Sequence, residues 1–283
     1  MTERASVLSR LGKMDRRFTY AIILIAVAIP LLKPLNLPLS LSPETKGFYD
    51  SVNSLAAGAP VLLSFDLDPG ALPELYPQML AVLQHLKVKQ TRIICVAFFN
   101  SGPMIANDAL TEVFGSPKTL PDYGKTLVNL GFIAGEESGM AAFAKNVKGA
   151  APQDYYGNPT ATMQVLSGIN TAKDFALIIE FAYGTPGITE AMRQWVAPYG
   201  VKVAAAATAL IASSVMPYLK TGQVVGMLTG LRGAAEYENL IGKPAMAVAG
   251  MDAQSVAHVV VIILILVGNL GYYYERRRRY RSD

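Results

Sequence analysis

The chain has 283 residues, of which 52% are apolar and 16% are charged, and its formal net charge is +4. Soluble domains usually carry about 25% charged residues, so this composition argues against an ordinary soluble protein and indicates membrane segments, a sheet buried on both faces, or both. Ten of the 25 basic residues lie before residue 18 or after residue 274, where membrane-flanking tails account for them, and we expect no nucleic-acid partner.

The first element is an uncharged apolar stretch that begins at Phe18. It extends past Lys33, whose long side chain lets the ammonium group reach the lipid headgroups. We predict a cytoplasmic basic tail at residues 1–17 and a transmembrane helix at residues 18–39. Two arginines before an apolar core are also typical of a signal peptide, but no small-residue cleavage site follows, so we expect an uncleaved anchor.

Between the two ends, short apolar runs alternate with helical patterns. Strands are predicted at Pro60–Phe65, Arg92–Phe99, Leu127–Ile133, Phe175–Phe181, from Val201 onward and at Val224–Leu228. Continuous apolar strands, each followed by a helix, indicate a parallel sheet covered on both faces. The predicted fold class is therefore α/β: a mostly parallel, three-layer, Rossmann-like sheet in an extracytoplasmic domain at residues 40–253. Residues 203–219 could instead form a third membrane helix, but that helix would place the C-terminal arginines outside.

The last element is an apolar run, Val256–Tyr274, followed by five arginines. We predict a second transmembrane helix at residues 254–274 and a cytoplasmic Arg-rich tail at 275–283. By the positive-inside rule, both termini are cytoplasmic and the central domain lies outside. Polar groups are costly in lipid, so we expect His258 and Asn269 to face a partner helix. The expected partners are the lipid bilayer and either a second copy or another membrane protein.

Two aspartates, Asp66 and Asp68, end the first predicted strand in the stretch LSFDLDPG. On an extended backbone they project from one face, where two carboxylates can bind a divalent cation or share a proton. A proline and a glycine follow directly, which favours a structural role: Asp68 starts a turn and Asp66 accepts hydrogen bonds from backbone amides. Catalysis and metal binding stay open as alternatives.

Polar residues follow the other predicted strands as well. Loops at the carboxyl ends of parallel strands converge at one edge of the sheet, where ligands bind. With the aspartate pair, the ligand-binding candidates at this edge are Asn100, Ser101, Thr185 and Thr208. The sequence contains neither a glycine-rich phosphate motif nor a metal-ligand spacing, so we expect no cofactor and assign no metal site.

A membrane-tethered hydrolase is the alternative function, with Asp66, Asp68, Glu136 and Ser138 as catalytic candidates. The aspartate spacing resembles that of haloacid-dehalogenase-like phosphatases, but those need threonine or valine where this chain has Gly70. Ser138 opens a small-residue helix and resembles the serine of crotonase-like signal-peptide peptidases, yet the double glycine of that family is absent and no lysine base is identifiable. A non-catalytic binding or assembly module is therefore the favoured interpretation.

Three further stretches carry a family resemblance: the FDLDPG turn, the NLGF strand and the LRGAAEYE helix, which all lie between the two anchors. Together they resemble a family of uncharacterised bacterial membrane proteins, from the first span to about Gly242. The resemblance implies a bacterial inner membrane and brings no catalytic residue with it.

Overall fold

The computed structural model describes residues 16–279, with side chains as far as residue 273. It divides into two compact units. Residues 39–247 form the α/β unit, and the second unit contains the described residues up to 38 and from 248 onward. The predicted tails at 1–17 and 275–283 lie mostly outside the part of the chain whose side chains are described.

Six parallel strands form the sheet of the α/β unit. They are β1 (Pro60–Asp66), β2 (Arg92–Ala97), β3 (Leu127–Phe132), β4 (Leu177–Ala182), β5 (Val203–Ala207) and β6 (Val224–Thr229). Their order across the sheet is β3-β2-β1-β4-β5-β6, and every neighbouring pair is parallel. The predicted α/β class is confirmed, and the strand order is that of doubly wound folds.

The described helices connect or flank these strands. They are α1 (Arg16–Leu32), α2 (Pro43–Asn53), α3 (Leu72–Val88), α4 (Gly102–Phe114), α5 (Glu136–Lys145), α6 (Val147–Ala150), α7 (Ile188–Ala191, continued by Met192–Val196 in π geometry and by Ala197–Tyr199), α8 (Ala212–Lys220), α9 (Gly230–Leu240) and α10 (Met246–Arg279). Helices α2, α3, α4 and α9 cover one face of the sheet, whereas α5, α7 and α8 cover the other.

Both faces of the sheet are apolar because successive strand residues alternate between two cores. Leu62 packs with the core under α5 and α7, and Leu63 packs with the core under α3 and α4. Both side chains are fully buried, which stabilises the fold by about 1.5–3 kcal/mol for each leucine. Continuous apolar strands are therefore the sequence signal of this three-layer arrangement.

A glycine brings α4 close to the first strand. A Cβ atom on Gly102 would lie 2.0 Å from the carbonyl oxygen of Phe65 and 2.5 Å from the Cβ of Ala97. These distances are far below van der Waals contact, so any side chain at this position would push the helix away from the sheet. The N-terminus of α4 is consequently held directly over the carboxyl end of β1.

A buried carboxylate fastens the start of α2 to α9. Glu236 accepts hydrogen bonds from the Ser42 hydroxyl at 2.6 Å and the Ser42 amide at 3.0 Å. It also pairs with Arg232 at 2.8 Å, which is the four-residue spacing that the sequence indicates on a helix. Hydrogen bonds from Ser42 and Arg232 outweigh burial and hold the pKa of Glu236 below its usual value.

The second unit contains a carboxylate that binds three successive amides. Asp252 in α10 accepts hydrogen bonds from the backbone N–H groups of Leu35, Asn36 and Leu37 at 2.7, 2.9 and 3.1 Å. Asp252 is buried, so these bonds also satisfy an otherwise costly charge. The segment that follows α1 is thereby fixed to the first turns of α10.

One helix in the described part of the chain is long and apolar enough to cross a membrane: the 28-residue stretch Met246–Tyr273 of α10, which contains an 18-residue window with a mean hydropathy of 2.1. It begins eight residues earlier than the predicted span at 254–274. Helix α1 has 17 described residues and ends at Leu32, before Pro34, because the residue preceding a proline disfavours helical geometry. A second span at 18–39 stays a prediction.

At three other places the structure corrects a predicted boundary, decides between two interpretations or adds an element. Strand β2 ends at Ala97 rather than at Phe99, because the Phe98 amide donates to the Asp66 side chain instead of continuing the strand. Residues 203–219 form β5 and most of α8, so the alternative of a third membrane helix there is wrong. Helix α2 was not predicted at all.

Candidate functional site

The strand order changes direction between β1 and β4, and doubly wound folds bind ligands outside the carboxyl ends of such a strand pair. In register, Ser64 lies beside Glu180, and Asp66 lies beside Ala182. Because neighbouring residues in parallel strands face the same side, Ser64, Asp66 and Glu180 all point towards the core under α5 and α7. The structure therefore places two carboxyl groups together at the switch point.

Asp66 is fully buried and bonded to the protein. It accepts hydrogen bonds from the Ser64 hydroxyl at 2.6 Å and the Phe98 amide at 2.5 Å. Burial raises the pKa of Asp66, and the hydrogen bonds that it accepts oppose this effect. Its geometry is that of a carboxylate holding the turn after β2, which is the structural role that the sequence favours.

Glu180 is the residue that the sequence analysis missed. Its side chain is fully buried in β4, and neither carboxyl oxygen has a hydrogen-bond partner among the described residues. Burial first, and then repulsion from Asp66, raises the pKa of Glu180 well above its usual range. Since Asp66 accepts the donated hydrogen bonds, the proton of this pair resides on Glu180. A charged residue inside the apolar run FALIIEF was the available signal.

A third acid, Glu190, adds negative charge near this pair. Glu190 in α7 is buried, accepts a hydrogen bond from the Gly187 amide at 3.0 Å and pairs with Arg193 at 2.9 Å. Arg193 also binds Glu137 in α5 at 2.8 Å, and this contact lowers the pKa of Glu137 to about 2. The negative charge of Glu190 contributes to the raised pKa of Glu180.

Asp68, Asn100 and Ser101 lie at the same edge of the sheet but in separate local contacts. Asp68 accepts a hydrogen bond from the Gly70 amide at 2.8 Å and starts the turn before α3. The Ser101 hydroxyl donates to the Leu67 carbonyl at 2.7 Å, which joins the loops after β1 and β2. Asn100 is exposed. No hydrogen bond joins the side chains of Asp66 and Asp68 among the described residues.

The remaining edge candidates do not converge into a catalytic set. Glu136 is exposed, and the Ser138 hydroxyl donates to the Gly135 carbonyl at 2.6 Å within the first turn of its own helix. Thr185 is exposed in the loop after β4. Thr208 is buried after β5, and its hydroxyl has no hydrogen-bond partner in the described structure.

The two polar residues predicted in the second membrane span lie within α10. His258 and Asn269 are both exposed, and the Asn269 amide nitrogen donates to the Ile265 carbonyl at 2.9 Å in the same helix. Their predicted contact with a partner helix stays a prediction.

Asp66 and Glu180 can share a proton, but a substrate cannot reach either carboxyl group. Asp66 and Glu180 each have no exposed surface. A general acid or base must come within hydrogen-bond reach of the reacting atom, which full burial prevents in this conformation. Across residues 16–279, no group of three or more histidine, cysteine, aspartate or glutamate side chains is placed to hold a metal ion. The geometry is that of a protonated core pair.

Comparisons of the chain with protein-family models, with curated proteins and with solved structures find no match. The fold and its geometry therefore carry the functional argument.

Proposed function

We propose that this protein is a membrane-tethered assembly module: its α/β domain is held outside the cytoplasm of a bacterial cell and acts by binding a partner. The observation that carries the proposal is the surface of α10. Along this helix, apolar side chains such as Val259, Ile262 and Leu266 are more than half exposed. An exposed apolar helix of this length is stable in lipid and costly in water.

The charges at the two ends support the orientation of the domain. Arginines precede residue 18 and follow residue 274, and the positive-inside rule retains such residues in the cytoplasm. With a first span at 18–39 and a second at 254–274, both termini are cytoplasmic and residues 40–253 lie outside. The bacterial inner membrane is the setting that the family resemblance implies.

The buried acids support binding over catalysis. A tethered hydrolase is the competing function, and it needs at least one of Asp66, Asp68, Glu136 and Ser138 to reach a substrate. Asp66 is sealed in the core, and Asp68 and Ser138 are bonded to their own turns. Asp66→Asn separates the two functions: a hydrolase loses turnover at unchanged stability, whereas a structural Asp66 gives a protein that unfolds more easily.

Cysteine labelling in intact cells tests the tether and the topology. The single native cysteine, Cys95, is fully buried, and burial raises the pKa of its thiol, so background labelling is low. We expect Leu210→Cys, at a site that is 83% exposed, to react with a membrane-impermeant maleimide before the cells are broken. Alkaline washing should leave the chain in the membrane. Labelling only after lysis, or release by the wash, would contradict the proposal.

A further inference from the structure

Basic residues collect at the amino-terminal edge of the sheet. The segments that lead into β2 to β6 contain seven of them against three acids, Asp122, Asp174 and the buried Asp154; the basic residues are Lys89, Arg92, Lys118, Lys125, Lys173, Lys202 and Lys220. None of the seven forms a salt bridge within the described structure, where the ion pairs involve Lys46, Arg193 and Arg232 instead. This edge therefore presents positive charge that the domain itself does not neutralise.

The opposite, carboxyl-terminal edge has the reverse character. The segments that follow β1 and β3 carry Asp68, Glu74, Glu136 and Glu137. Of these, Glu137 is paired with Arg193 from the segment after β4, while Arg232, after β6, is paired with Glu236. The same edge also exposes an apolar side chain: Leu210, in the turn after β5, is 83% exposed and is the most exposed large apolar side chain of the α/β unit. This edge is thus acidic with an apolar projection.

A cavity at the basic edge matches that projection in size and chemistry. It has a volume of about 350 Å³ and is lined by apolar side chains that include Leu55, Ala56, Ala59 and Val225, with Lys202 beside them. Its volume exceeds that of a leucine side chain, and its apolar wall would remove such a side chain from water. The lysine lies where an acidic neighbour of the incoming side chain would be bound.

We propose that the two edges bind each other between copies: the carboxyl-terminal edge of one α/β domain docks on the amino-terminal edge of the next, with Leu210 in the cavity beside Lys202. The inference rests on the proposed assembly function and names the partner as a second copy of this chain. Since the two surfaces are different, the contact is heterologous, and repetition of it gives an open row of domains rather than a closed pair.

The apolar part of the contact favours a second copy over a polyanion. A polyanionic chain or an anionic lipid surface would use the lysines but would leave the apolar cavity and Leu210 in water. A second copy matches both the charge and the apolar element. Charge complementarity of this kind fixes orientation and speeds encounter, while burial of the leucine stabilises the contact.

Disulfide trapping of the full-length chain in membranes tests the geometry. We expect Leu210→Cys and Ala56→Cys variants, mixed and oxidised, to give a disulfide-linked heterodimer, and each variant alone to give none. Within one copy the two positions lie at opposite ends of strands of five to seven residues, a separation of roughly 20 Å. Disulfides need Cα atoms within about 7 Å, so an internal bond is excluded.

Charge reversal tests the electrostatic part. Lys202→Glu in the Ala56→Cys chain should lower the yield of mixed dimer at least roughly fivefold, since like charges replace opposite ones, and added salt should weaken the contact. Lys46→Glu makes the same charge change on α2 at a residue that does not line the cavity, and should leave the yield unchanged. Both lysines are exposed, so folding is retained.

Three outcomes overturn the inference. Absence of the mixed disulfide refutes the head-to-tail contact, and a disulfide between two Leu210→Cys chains shows a symmetric contact instead. Binding of the purified chain to vesicles with anionic lipid, lost in Lys202→Glu while no mixed disulfide forms, assigns the basic edge to lipid. Maleimide labelling of the same cysteines reports the topology independently, so failure of the contact leaves the proposed tether standing.

Discussion

Replacing Glu180 with glutamine should stabilise the α/β domain at neutral and alkaline pH and change it little at about pH 4. Burial and the neighbouring Asp66 raise the pKa of Glu180 well above its usual value of 4.5. The folded state therefore keeps a proton that the unfolded state releases once the pH exceeds that usual value. Across the interval between the two pKa values, the free energy of unfolding of the wild-type protein falls as the pH rises.

The size of the effect follows from a single proton. One proton of difference between the folded and unfolded states changes the free energy of unfolding by up to about 1.4 kcal/mol for each pH unit. Glutamine is uncharged at every pH, so this slope disappears in the variant. Because domains are stable by only about 5–15 kcal/mol, a difference of this size accumulated over two pH units is readily measured.

Urea unfolding followed by tryptophan fluorescence measures this difference. Trp195 is the only tryptophan, is fully buried in the α/β unit and lies 5.8 Å from the Phe98 ring, so its emission reports on that unit even in detergent. Unfolding curves at half-unit steps from pH 4 to pH 8 give the slope for each chain. Glu136→Gln makes the same chemical change at an exposed position and should follow the wild type within about 0.5 kcal/mol.

Parallel pH dependences of the wild type and Glu180→Gln would refute the reasoning. They would show that Glu180 is ionised in the folded protein, stabilised by contacts that the structure does not contain. A variant that is less stable than the wild type at pH 8 would contradict it as well.

Three further substitutions test separate contacts. Gly102→Ala should cost about 1–3 kcal/mol by urea unfolding because its methyl group would meet the first strand, whereas Gly184→Ala, where nothing lies within 4 Å, should cost less than about 1 kcal/mol. Asp252→Ala leaves three amides without their acceptor, so amide exchange in peptide 33–41 should accelerate roughly 5- to 150-fold by mass spectrometry, and unchanged exchange would contradict the contact. Glu236→Gln should lower the unfolding free energy by about 1–3 kcal/mol at pH 7. The loss should be smaller at about pH 4, because the unfolded carboxylate takes up a proton there and the advantage of the lowered pKa of Glu236 shrinks; an equal loss at both pH values would be inconsistent with a charged Glu236.

The strands were predictable because each is a continuous apolar run, and burial on both faces of a parallel sheet needs little else. Strand β1 begins at the predicted Pro60, and β6 begins at the predicted Val224. Helix α2 was missed because only Phe48 and Val52 provide its apolar face, which is too few for a periodic pattern. Its N-terminal signal was present: Ser42 caps the helix and Pro43 begins it.

The polar site was only half predictable. Asp66 stands out because it ends an apolar run, and its bond with the Ser64 hydroxyl is local, whereas its bond with the Phe98 amide joins residues 32 positions apart. Glu180 comes close to Asp66 only when β4 pairs with β1. This strand pairing brings the two acids, which are 114 positions apart in the sequence, onto the same face of the sheet. Strand order depends on long-range packing of helices against the sheet, and no local pattern in the chain encodes it.

The hydrogen bonds from the amides of residues 35–37 to Asp252 can form only late in the synthesis of the chain. The two partners of the first of these bonds are 217 residues apart, so the acceptor leaves the ribosome long after the donors. The segment after α1 therefore lacks these hydrogen bonds while the strands of the sheet are synthesised, and it gains them only once α10 has been made. Residues 35–37, which are synthesised before the sheet, are therefore among the last of the described residues to gain their native hydrogen bonds.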